Sequence, residues 1–178
     1  KARELDPDQY TERATLRIVL AQYYLQDREA LVATITKYPQ VNVPTEITRW
    51  LGRQSFDEGD YTATEKFLLP VAKDLKSADA DTLIALAEAQ IRLGKNADAV
   101  PVVTRYLELA REPSSRARGL QAQAAIALAG RELEKATTLC DESLLLQPEG
   151  RLNAEGRLLS GEISFANKNY PDAARAFM

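Results

Sequence analysis

The chain has 178 residues, 45% hydrophobic and 28% charged, enough for one ordinary core or for a short array of units that each bury a neighbour. A formal net charge of -3 lacks the surplus of Lys and Arg that phosphate binding draws on, which argues against a nucleic-acid partner. With no histidine and a single cysteine, Cys140, the sequence excludes an internal disulfide framework and a multi-thiolate metal site, and it lacks the usual general base of hydrolases.

No window approaches the ~20 apolar residues that cross a bilayer, and residues 1–7 carry no secretory hydrophobic segment. We therefore expect no direct membrane insertion, and no cofactor. The chain begins without methionine and stops at Met178 inside an apolar helical pattern, which reads as part of a longer protein.

Along the chain, short turn stretches at residues 26–30, 59–64, 94–99, 130–136 and 167–173 separate apolar runs. Their last residues, Ala30, Thr64, Ala99, Ala136 and Ala173, stand 34, 35, 37 and 37 positions apart, the mark of a repeat array. Before the turns, Leu16, Leu20 and Tyr23, then Leu83, Leu86, Ala87 and Gln90, follow the spacing of one helical face. After them, Phe67, Val71 and Leu75, then Val100, Val103 and Leu107, then Leu139, Leu144 and Leu145, do much the same. Strand alternation is absent, so the fold is expected to be all-α.

Gly59, Gly94 and Gly130 stand where a helix should end in a residue tolerant of positive φ, and Pro171 where a helix begins. Pro39 with Pro44, Pro113 with Ser114 and Ser115, and Pro148 with Gly150 mark the longer connections between units. Pro70 falls inside the helix expected over 65–75 and predicts a bend there, while Pro101 lies a little past its helix start.

These residues resemble the tetratricopeptide repeat. The second unit carries Leu51-Gly52 and then Gly59-Asp60-Tyr61; the fifth has Ser160-Gly161, Asn169-Tyr170, then Ala173 and Phe177; the fourth has Ala136, with Leu133 in the tyrosine slot. Thr48, Ser55 and Ser164 depart from the family's aromatic positions, and the first unit has neither Leu-Gly nor Gly-x-Tyr. The resemblance implies an all-α, right-handed superhelical solenoid of about five antiparallel helix pairs over units 8–40, 44–77, 80–112, 115–149 and 152–178, the first a capping pair and the last truncated. In it the small residues Gly52, Ala87, Ala124 and Gly161 let the two helices of a pair approach closely, and bulky ones such as Tyr61 and Phe177 fill the space between pairs.

The resemblance also implies a groove lined by the first helix of each unit, with Arg49, Arg53, Phe56 and Asp57, then Ile84, Glu88 and Arg92, then Gln121 and Ala125, then Glu162 and Phe165. Arg49 and Arg53 share a helical face, and with Arg92 they could fork onto a carboxylate; the alternative leaves them solvated or pairs them with Glu46, Asp57 and Glu88. Positions matching the family's chaperone clamp hold Leu16, Leu20, Arg49, Arg53 and Ile84, so no such clamp is implied.

Trp50 either anchors an interface or packs against the preceding pair, whereas Tyr10, Tyr23 and Tyr24 are expected in core packing. Cys140 is expected buried as a small hydrophobe. Asp79-Ala80-Asp81 is read as a helix start and Asp141-Glu142 as a solvated face, neither as a catalytic carboxylate pair. Gly150 and Gly156 follow no strand and so form no phosphate loop.

The expected function is a scaffold or adaptor, not an enzyme, that binds a protein or peptide in its groove, with self-association left open. The alternative is a regulatory or oligomerisation segment of a larger sensor or enzyme. The run Lys37-Tyr38-Pro39 followed by Pro44 to Tyr61 is similar to bacterial cell-envelope assembly factors with these repeats, which implies a periplasmic setting, the cytoplasm being the alternative.

Overall fold

The computed structural model describes residues 7–147 and 149–178, with side chains from Thr11 onward; Pro148 and the side chain of Tyr10, both assigned above, lie outside that range. Among the described residues there are ten α-helices and no strand: α1 (Pro7–Tyr24), α2 (Arg28–Lys37), α3 (Thr45–Asp57), α4 (Tyr61–Val71), α5 (Ala80–Arg92), α6 (Asn96–Leu109), α7 (Pro113–Ala129), α8 (Leu133–Leu146), α9 (Arg151–Ala166) and α10 (Tyr170–Phe177). None of these helices is long and apolar enough to cross a membrane.

One backbone device closes all five pairs. At the first turn the Gln26 N–H donates to the Tyr23 carbonyl and the Asp27 N–H to that of Gln22; the same two bonds recur at Gly59 and Asp60, Gly94 and Lys95, Arg131 and Glu132, and Lys168 and Asn169. This is the Schellman ending, which needs a left-handed residue just past the helix. The residues taking it are Gln26 (φ 55°), Gly59 (77°), Gly94 (74°), Arg131 (61°) and Lys168 (60°).

Gly130 therefore does not fill the role its sequence position suggested. It caps α7 at φ -77°, and Arg131 adopts the left-handed conformation instead, because α7 runs on to Ala129 and moves the turn one residue later. The next residue begins the second helix: Asp27, Asp60 and Asn169 accept the N–H groups of Ala30, Ala63 and Asp172, and each such cap is worth about 1 kcal/mol.

Pro70 also behaves differently from expectation. Helix α4 does not bend there and continue to 75; it stops at Val71, where the capping Ala72 N–H reaches Leu68 O. A proline in the final turn removes one bond at a point where the helix can end with little loss. Pro101 is accommodated inside α6, which continues to Leu109.

Small-against-large packing closes the second and fifth pairs, and Phe177 lies against Gly161 within its own pair, not between pairs as expected. A Cβ built on Gly52 would overlap the Leu68 side chain, and one on Gly161 would stand 2.5 Å from Phe177 Cε1. Ala87 and Ala124 are fully buried, as are Leu83, Leu86 and Val103. Val100 and Leu145, placed on core faces by their spacing, are exposed instead, while Val102 and Ser143 are buried in those helices.

The second helices α4, α6 and α8 each pack on the first helix of the next pair, and first helices also touch one another, α3 on α5, α5 on α7 and α7 on α9. Second helices make no comparable mutual contact among the described residues. The row of first helices is thus the tighter side of the array, a geometry that curves the stack around it.

The first pair joins the rest through long side chains. Val19 and Leu31 pack with Ile47, Leu51 and Phe67, and Trp50 meets Tyr23 edge-on at 5.5 Å. Trp50 therefore packs against the preceding pair, while Tyr24, expected in the core, is 78% exposed. Arg28 completes the joint, donating to Ser55 Oγ at 3.0 Å and pairing with Glu58 at 3.0 Å.

Candidate binding groove

Helices α3, α5 and α7 lie side by side with their outward faces on a common surface. Between them is a cleft of about 210 Å³ lined by Arg53, Phe56, Asp57, Asp81, Ile84, Ala85 and Arg118. Four of these, Arg53, Phe56, Asp57 and Ile84, are among the groove residues expected from sequence. Phe56 is partly buried against the central core and meets Tyr61 edge-on at 6.0 Å. Ile84 is itself a core residue, so it walls the cleft without projecting from it.

The charged residues are organised by Asp79, the N-cap of α5. Its carboxylate accepts the Thr82 N–H and hydroxyl, each at 2.9 Å, and Arg53 Nη2 at 2.7 Å. Arg49 Nε lies 3.1 Å from the other oxygen, a charge pair without the alignment of a hydrogen bond. Burial pushes the Asp79 carboxyl up, but Thr82, Arg53 and Arg49 together outweigh it and hold the group below its ordinary value.

Arg49 and Arg53 thus tie α3 to the start of α5. They pair inside the chain, with Asp79 and, for Arg53, Asp81 at 3.5 Å, and not with Glu46, Asp57 or Glu88. Charge already committed to an internal partner is poorly placed to hold a ligand carboxylate as well.

Deeper in the row, Arg118 forks onto Glu88, Nε to Oε1 at 2.6 Å and Nη2 to Oε2 at 2.7 Å. The Glu88 hydrogen bond raises the Arg118 pKa over the opposing effect of burial. The same guanidinium lies 5.9 Å over the Phe56 ring, so α3, α5 and α7 meet through one stacked and forked contact. Burial pushes the nearby Tyr106 phenol up. Sequence reasoning missed Arg118, although it stands one helical turn before Gln121 and shares its face.

The other expected groove residues do not gather at this cleft. Gln121 donates to the Leu152 carbonyl at 2.9 Å and joins α7 to α9. Arg92 and Glu162 are exposed on α5 and α9, Ala125 is half-buried on α7, and Phe165 meets Tyr170 edge-on at 5.5 Å in the last pair. A larger cleft of about 590 Å³ lies between α8, α9 and α10, lined in part by Arg157, Asp172 and Arg175. Its cations are held locally, Arg157 by Asn153 and Arg175 by Asp172.

Cys140 is 1% exposed, and its thiol donates to the Gly156 carbonyl at 3.3 Å. Burial, with Asp141 adding to it, pushes the thiol up to about 11, which leaves it protonated and unreactive as expected. Among the described residues no three acidic or thiol side chains come close enough to hold a metal ion.

Paired antiparallel helices, a repeated Schellman turn and a row of first helices facing one surface define a helical solenoid of the tetratricopeptide type. Comparison with solved structures agrees. MamA from Desulfovibrio magneticus RS-1, residues 41 to the end, superposes with a TM-score of 0.66 at 16% identity, covering 93% of this chain and 90% of that one. A second MamA structure gives 0.65 at 15% identity, covering 94% and 88%. A thermophilic TPR protein of Thermus thermophilus gives 0.59 at 17% identity, covering 93% and 88%. At these identities the likeness is one of fold. No protein-family model matches the chain, and no curated relative matches it.

Proposed function

We propose that the chain is a protein-interaction scaffold whose binding face is the row of first helices, centred on the cleft shared by α3, α5 and α7. The observation that carries this reading is the convergence of Phe56, Ile84 and Ala85 with the charged Arg53, Asp57, Asp81 and Arg118 across three successive repeats. An apolar floor with a few charged groups is what a bound peptide needs for affinity and orientation. The fold that this chain shares with a TPR protein supports the same role by analogy.

The test is selection of a random dodecapeptide display library on the intact protein, followed by binding of the enriched peptides to two variants. Asp57→Trp should obstruct the cleft and weaken binding, whereas Thr138→Trp, on the exposed face of α8, should leave it unchanged. Peptides indifferent to Asp57→Trp would remove the cleft from the binding face.

A further inference from the structure

We infer that the α3–α5–α7 cleft receives a basic side chain, lysine or arginine, from an extended segment of the partner protein. This rests on the groove reading above and adds the chemistry of what enters. Around the cleft stand three arginines, Arg49, Arg53 and Arg118, against four acids, Asp57, Asp79, Asp81 and Glu88. Asp79 takes up Arg49 and Arg53, and Glu88 takes up Arg118 through both its oxygens.

Two carboxylates are left over. Asp81 is 82% exposed and has only the 3.5 Å contact to an Arg53 nitrogen already committed to Asp79 at 2.7 Å. Asp57 has no cationic partner among the described residues.

The placement of Asp57 is informative. It is the last residue of α3, in a final turn that carries no basic side chain. The negative end of a helix dipole favours a cation there and disfavours an acid. An acid set against its local field, uncompensated by the chain and facing a cleft, marks the position where a cation from outside would restore the balance. The helix end and the carboxylate then act on it with the same sign.

The walls fit the rest of such a side chain. Phe56, only partly buried, offers the apolar surface for an aliphatic stem, with the almost fully buried Ile84 and Ala85 behind it, and the charged head reaches the carboxylates at the rim. At about 210 Å³ the cleft is smaller than the ~300 Å³ at which sites for whole small molecules begin, and suits one long side chain.

The intact protein is titrated with N-acetyl-arginine amide, and with N-acetyl-glutamate amide as the oppositely charged control, while backbone amide resonances are followed by NMR. The arginine probe should saturably shift Asp57, Asp81 and Ile84, and the glutamate probe should not. In the Asp57→Asn, Asp81→Asn double variant the arginine Kd should rise by about tenfold, the scale of a close charge pair. Asp57→Asn alone, at an exposed helix end, serves if the double variant fails to fold. The inference is overturned by equal response to both probes, by a stronger response to glutamate, by no saturable shift with arginine, or by an arginine response that survives the substitutions. Library peptides blocked by Asp57→Trp yet independent of any lysine or arginine would remove the basic side chain and leave the groove standing; peptides indifferent to Asp57→Trp would remove the groove itself.

Discussion

Arg118 on α7 holds Glu88 on α5 by two parallel hydrogen bonds of 2.6 and 2.7 Å while lying 5.9 Å over the ring of Phe56 on α3. Three consecutive repeats are therefore coupled through one guanidinium. Charge-assisted forked pairs are among the stronger polar contacts, but these side chains are 38% and 26% exposed, so solvent screening offsets part of the gain. Arg118→Met, which keeps the stem and removes the fork, should destabilise by about 1 kcal/mol. Urea denaturation should show a lower midpoint at unchanged slope; an unchanged midpoint would make the contact energetically idle.

Gly52 is a close contact between α3 and α4, where any side chain meets the buried Leu68. Gly52→Leu should cost about 1–3 kcal/mol by overpacking a site that has no room to relax. Gly161→Ala should cost less, because its neighbour Phe177 is half-exposed and free to swing aside. Thermal melts of the two variants check the order; Gly52→Leu melting like the parent would contradict the close contact.

The fourth turn gives a paired prediction from backbone geometry alone. Arg131 holds φ 61°, which costs a side-chain-bearing residue about 1–2 kcal/mol, so Arg131→Gly should gain about 0.5–1 kcal/mol after the added chain entropy of glycine. Gly130 sits at φ -77° in ordinary helical space, and its nearest neighbour to a new Cβ is the flexible Glu132 carboxylate at 3.4 Å. Gly130→Ala should consequently be neutral or mildly stabilising. Loss of stability in Gly130→Ala with none gained in Arg131→Gly would reverse the assignment.

Cys140 keeps its proton in the folded chain up to about 11, above its ordinary value of 9.0. Between those values the unfolded chain has released a proton that the folded one retains, so stability is fully present below 9.0 and falls as pH rises towards 11. Cys140→Ala should flatten that alkaline decline. An aromatic disulfide reagent at pH 8 should leave the native thiol untouched and label it on unfolding; rapid labelling of the native protein would refute the burial.

Much of the fold was legible because the repeat writes it locally. The turns at 27, 60, 95, 131 and 168 and the Gly52 and Gly161 contacts follow from residues within one hairpin. The errors come from properties set elsewhere. Which residue takes positive φ at the fourth turn depends on where α7 ends, and the length of a helix is fixed by packing along it. The partner of Arg49 and Arg53 is Asp79, 26 positions beyond Arg53, because the offset between neighbouring pairs places the α5 N-cap beside the middle of α3. Arg118 was hidden for the same reason: Glu88 lies 30 residues away, and no pattern inside either helix connects them. Tyr24 shows the limit of spacing alone, since of two adjacent tyrosines only Tyr23 falls on the buried side of α1.

The proposal that the first helices form the binding face is tested most directly by backbone hydrogen exchange with and without a library-selected peptide. Exchange should slow in α3, α5 and α7, most of all around Asp57, Asp81 and Arg118, and stay unchanged along the outer faces of α4, α6 and α8. Protection confined to those second helices would contradict it.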